Sequence, residues 1–113
     1  MQVIVSVRHG RLNHFIQEQI QTKLQRLTRF SDRITEIDVI VDLKRLEVPS
    51  VEVQVSLERT GDLLAVVEAN SLISAVDKVQ HKLERQLRKH KQKQTDHRSP
   101  ALRQVARSSS TDE

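Results

Sequence analysis

The chain has 113 residues, 36% apolar and 30% charged, with no cysteine, two phenylalanines as its only aromatics and a formal net charge of +4. A chain of this length makes one domain that buries about two-thirds of its surface, and the lack of cysteine excludes a disulfide framework and any thiolate metal site. No apolar run reaches membrane-spanning length and MQVIVSVRHG has no cationic segment ahead of an apolar one, so neither a membrane span nor a secretory leader is expected and the protein reads as cytoplasmic.

Gln2 to Arg8 alternates, with Val3, Val5 and Val7 on one side and Ile4, Ser6 and Arg8 on the other, which predicts a first strand. Gly10 breaks it. Asn13 is placed to cap a helix running to about Thr28, with Phe15 or Ile16, Ile20, Leu24 or the Lys23 stem, and Leu27 along its apolar stripe. Lys23, Arg26 and Arg29 fall on its outer face, and Phe30 packs back as the chain turns. Ile34 to Leu43 reads as a second strand, with Ile37, Val39, Val41 and Leu43 opposed to Glu36, Asp38 and Asp42. After a loop containing Pro49, Val51, Val53, Val55 and Leu57 alternate with polar residues in a third strand. Gly61 supplies the positive φ of a hairpin, and Leu63 to Ala69 returns as a fourth.

The last regular segment is the most informative. In SLISAVDKVQHKLERQLRKHKQK, residues 71–93, Leu72, Val76, Val79, Leu83 and Leu87 recur at steps of four, three, four and four, the apolar stripe of a long helix capped by Asn70 or Ser71. A second stripe, Lys78, Lys82, Arg85 and Lys89, keeps the same rhythm a third of a turn away, extended by Arg88, Lys91 and Lys93. Seven basic residues face only Asp77 and Glu84, a net of +5. An ordinary solvated helix mixes Glu with Lys at i,i+4, and this one does not, so the stripe reads as a polyanion-binding face.

The element order is β-α-β-β-β-α, an α+β domain over residues 1–93: a four-stranded sheet with two helices on one face. The other face is expected to be solvent-exposed and acidic, because residues 34–70 carry eight acidic and three basic side chains. Residues 1–33, with six basic and two acidic, and 71–93 are both cationic, so a polyanion would be drawn to the helical side alone. Residues 94–113 are polar, balanced in charge and read as a flexible tail.

Catalytic chemistry is absent. The five histidines, His9, His14, His81, His90 and His97, fall in no metal or catalytic pattern; His14 and Glu18, four apart, read as a surface pair, and His81 and His90 as members of the positive face. With two glycines there is no phosphate loop, so no enzyme, cofactor or small-molecule substrate is expected. Phe15 and Phe30 both read as core, which argues against a base-stacking platform and for phosphate contacts on structured RNA.

The string KLERQLRKHK at Lys82 to Lys91, with GDLLAVVEAN before the helix and Lys23-Leu24 in the first helix, resembles the ribosome hibernation-promoting factor family, whose older name is sigma-factor modulation protein. The resemblance covers about residues 2–93 and implies a translation inhibitor active under stress or in stationary phase. It would bind the small ribosomal subunit between head and body, over the messenger and transfer RNA sites. The family's rRNA-facing basic positions carry over to Lys23, Lys82, Arg85, Arg88 and Lys89; helical geometry adds Arg26 and Lys78. Lacking the second domain of the long members, the chain resembles the short form, and the free protein is expected to be monomeric. The alternative from another class is a protein-interaction module, such as a sigma-factor partner, that uses the acidic sheet.

Overall fold

The computed structural model describes the backbone of residues 1–96 and the side chains through His90. The elements are β1 (Gln2–Arg8), α1 (His14–Gln25) followed by a 3-10 turn (Arg26–Arg29), β2 (Ile34–Asp42), β3 (Ser50–Leu57), β4 (Asp62–Glu68) and α2 (Leu72–Asp96). This is the expected order. The side chains of Lys91 and Lys93, and most of the expected tail, lie outside what is described, and α2 itself continues to Asp96.

The strands lie in the order β1-β2-β3-β4, with β1 parallel to β2 and the other two pairs antiparallel. Parallel neighbours need a crossover, and α1 supplies it, packing on β1 while α2 covers β3 and β4. The core between helices and sheet holds Ile20, Leu24 and Leu27 from the first helical segment, Ile37, Val39 and Val41 from β2, and Val51, Val53 and Val55 from β3. Val76, Val79, Leu83 and Leu87 of α2 close it. Every apolar stripe is thus spent on one layer.

Ile34 and Ile37 are both buried although their odd spacing should put them on opposite faces. A register shift between Ile34 and Glu36 explains this: the bulge at Thr35 resets the alternation, so that Ile34 meets Leu57 and Ile37 meets Val55 on the inner face. Leu43 lies just past β2, partly buried, and its side chain comes so close to Gly10 that a Cβ there would sit 2.8 Å from Leu43 Cδ1. Gly10 is needed for that approach rather than for a special φ. In the β3–β4 hairpin both Arg59 (φ 67) and Gly61 (φ 78) are left-handed, so the reversal uses a second positive φ besides the glycine's.

The caps follow the sequence. Asn13 Oδ1 accepts the Ile16 N–H at 2.8 Å, and Ser71 Oγ accepts the Ser74 N–H at 3.2 Å, which settles the second cap on Ser71. The two helices are joined across the chain by Lys23 Nζ donating to Asp77 Oδ1 at 2.6 Å, both groups less than half exposed.

On the open face Gln2, Glu36, Ser56 and Asp62 form one cross-strand row and Ser6, Ile40, Glu52 and Val66 another. Glu36 and Asp38, two apart on β2, stand side by side; the hydrogen bond and repulsion from Asp38 raise the proton affinity of Glu36. At the end of this face Asp42 accepts the Lys44 N–H at 2.9 Å and pairs with His9 Nδ1 at 3.0 Å; these contacts, the amide first, lower its pKa, and His9 itself has a φ of 60.

This packing can be tested at three positions. Leu83→Ala, at a fully buried position, should destabilise the domain by about 2–5 kcal/mol in chemical denaturation. Asp77→Asn should cost less than about 1 kcal/mol, because the ion pair it breaks is half in water. Because folding raises the pKa of Glu36, the folded state holds its proton more tightly, and stability drops as pH rises from the ordinary carboxylate value through the raised one. Glu36→Gln should therefore raise the melting temperature at pH 7 and leave it unchanged at pH 3, where the carboxyl is already neutral.

Candidate nucleic-acid interface

The stripe that buries α2 decides what the helix shows to solvent. With Val76, Val79, Leu83 and Leu87 held to the sheet, Lys78, Lys82, Arg85 and Lys89 are all exposed, within an arc of about 60° on the far side. Their Cα atoms span about 16 Å along the axis. The two acidic residues of this stretch do not offset them from the same face: Asp77 is paired with Lys23, and Glu84 accepts from Gln80 Nε2 at 3.3 Å on the helix flank. The outward row is left cationic.

The other expected site residues are held differently. Arg88 is exposed, one step round the helix from the row, with its guanidinium over the Phe30 ring at 5.1 Å from the centroid. A stacked guanidinium keeps its edge N–H groups free for a phosphate, so the ring fixes its plane without using its donors. Arg26 is exposed at the start of the 3-10 turn. Lys23 is the exception. Its side chain is 28% exposed and its ammonium is tied to Asp77, so its first role is to join α1 to α2, and a pairing across 54 residues of sequence has no local signal.

Two expectations need correction. Phe15 is not core: it is 65% exposed, because Ile16 takes the inward position one residue on. It borders a shallow groove of about 340 Å³ with Glu18, Gln19, Thr22, Lys23 and Arg26. One exposed ring does not make a stacking platform, which needs successive rings, and Phe30 lies beneath Arg88. His90 does not join the outer row either. It continues the rhythm of the buried stripe, three residues after Leu87, and faces the turn after α1. His81 is exposed on the outer side. His14 and Glu18 form an exposed pair at 3.0 Å, and among the described residues no three His, Asp or Glu side chains gather as a metal site. No helix among them is long and apolar enough to cross a membrane.

Comparison with known proteins agrees with this architecture. The chain is 33% identical over 94 residues to the ribosome hibernation promoting factor of Pseudomonas putida, an alignment that takes in 83% of this chain and 90% of that protein. It is 32% identical over 97 residues to the factor of the same name from Azotobacter vinelandii, covering 85% and 88% of the two chains. A ribosomal subunit interface protein from Coxiella burnetii superposes with a TM-score of 0.73 at 26% identity, over 80% of this chain and 98% of that one. With a family model matching residues 3–95, from the first strand to the last turn of α2, this chain belongs to the sigma 54 modulation protein / S30EA ribosomal protein family.

Proposed function

We propose that the protein is a ribosome hibernation factor that acts by occupancy, binding the small ribosomal subunit and excluding messenger and transfer RNA under stress or in stationary phase. The observation that carries this reading is the exposed row Lys78, Lys82, Arg85 and Lys89 on a helix whose opposite side is locked into the core. The names of its relatives, ribosome hibernation promoting factors and a ribosomal subunit interface protein, support it.

Physically the row acts as a rigid rail of positive charge. Each lysine or arginine set against an rRNA phosphate releases a condensed counterion, so affinity comes largely from the entropy of released salt and needs no base to be read. Arg88, with its plane preset by Phe30, adds a guanidinium already oriented for a phosphate, and Arg26 adds charge from the neighbouring segment. Lys23 contributes by holding α1 against α2 through Asp77. No bond is made or broken.

A second reading, a protein-interaction module, is favoured by one observation. The open sheet face exposes Leu64 (54%) and Val66 (47%) on β4, beside the carboxylates of Glu52 and Asp62. The two readings use opposite sides of the molecule.

Sedimentation with ribosomes through sucrose gradients separates them. If about six phosphates are engaged, the logarithm of affinity should fall against the logarithm of salt with a slope of about −4 to −5. The triple change Lys82→Glu, Arg85→Glu and Lys89→Glu should abolish comigration at every salt concentration. Full comigration of that triple variant would reject the RNA face and favour the sheet.

A further inference from the structure

A second basic feature lies off the outer row. Between the turn that follows α1 and the inner side of α2 is a cleft of about 410 Å³ lined by Thr28, Arg29, Phe30, Ser31, Asp32, Arg33 and His90. Two arginines and a histidine line one concavity against a single acidic residue, Asp32. The arrangement results from two independent features of the chain. The 3-10 turn and the short link into β2 place Arg29 and Arg33 four residues apart on a reversal, and α2 reaches past Leu87, so that the next inward position is His90 rather than a leucine.

Most of the polar groups of the cleft can donate. Arg29, Arg33 and His90 make no side-chain hydrogen bond or ion pair with any described residue. Ser31 Oγ accepts the Arg33 N–H at 3.1 Å, which shapes the turn and leaves its own O–H to donate. Thr28 Oγ1 already donates to the Gln25 carbonyl at 2.8 Å, so it offers an acceptor only. Phe30 forms an apolar wall, with Arg88 over its ring. Arg29 and Arg33 are themselves exposed and His90 is half-buried, so the charge of two arginines is brought to one recess and raises the positive potential there. The volume falls within the roughly 300–1,000 Å³ typical of small-ligand sites, ample for a phosphate with its sugar.

We propose that this cleft is a phosphate-binding site that seats one backbone phosphate of the RNA strand engaged by the outer row of α2. Arg29 and Arg33 supply charge-assisted N–H donors, His90 and the Ser31 hydroxyl complete the set, and Asp32 sets an upper limit on affinity by its own charge. The site lets the protein hold RNA on two sides of the α2 axis, so that the contact fixes orientation as well as attraction. This rests on the RNA reading above for the identity of the strand, and on the cleft alone for the phosphate.

Two measurements on the full chain test it. In the first, inorganic pyrophosphate is titrated at low salt and followed by amide NMR shifts. Saturable shifts at residues 28–33 and 90 are expected, lost in Arg29→Gln/Arg33→Gln and several-fold tighter in Asp32→Asn. Shifts confined to the outer row, or unaffected by the double change, would overturn the site. In the second, ribosome sedimentation of Arg29→Gln/Arg33→Gln should show binding weakened about tenfold and a salt slope shallower by about one, with the melting temperature unchanged. Arg29→Lys/Arg33→Lys should restore the slope but not the full affinity, since an ammonium lacks the guanidinium's fork. Pyrophosphate binding in the cleft with an unchanged ribosome slope would overturn the RNA assignment and identify a free phosphate compound as the ligand. Loss of the RNA reading shows up separately, as full comigration of the triple glutamate variant of α2.

Discussion

The structure depends on one packing constraint: the side of α2 formed by Val76, Val79, Leu83 and Leu87 is buried to completion against β3 and β4. A helix has one rotational setting at which all four are dry, and turning it by even a third of a turn would bring Lys78 and Lys82 into the core, where an unpaired ammonium is prohibitive. Burial therefore aims the cationic row. As the proposed RNA contact, this row would need no loop to order and no side chain to be buried with its charge, so little would be lost on binding beyond the rotamer freedom of long basic chains.

Charge segregation is the second consequence of the same layering. A sheet with both helices on one side leaves its other face to water, and there Glu36, Asp38, Asp42 and Glu52 share the surface with Ile4, Ile40, Leu64 and Val66. The hydrogen bond between Glu36 and Asp38, and after it the repulsion between the two carboxylates, raise the proton affinity of Glu36. Such a face would turn a polyanion away, so on the proposed reading RNA would be approached in one orientation before any contact forms. Lys23 and Asp77 take part in both matters: one ion pair ties the helices together and pairs an acidic side chain of α2 beside the cationic row.

What was legible in the sequence is what periodicity encodes. Valines at alternate positions in β1 and β3, and leucines and valines at helical steps in α2, declare their faces because burial outweighs every competing preference at each of those residues. Asn13 and Gly61 carry local backbone chemistry and were equally readable. The bulge at Thr35 was not, since a one-residue slip is fixed by the partner strand rather than by β2 itself. Phe15 misled because a large apolar residue beside Ile16 offers two choices of inward position, and only packing against β1 decides between them. Lys23–Asp77, Arg88 over Phe30 and the gathering of Arg29, Arg33 and His90 are long-range meetings, and no window of neighbouring residues contains them.

The central claim is that RNA is met by the outer side of α2 and never by the open sheet. The most direct measurement places a short photo-crosslinker at Lys82 or, on the opposite face, at Gln54, and irradiates each labelled protein with ribosomes at low salt. The account predicts rRNA crosslinks from position 82 and none from position 54. Crosslinks to rRNA from position 54, with position 82 silent, would contradict it and move the interface to the sheet.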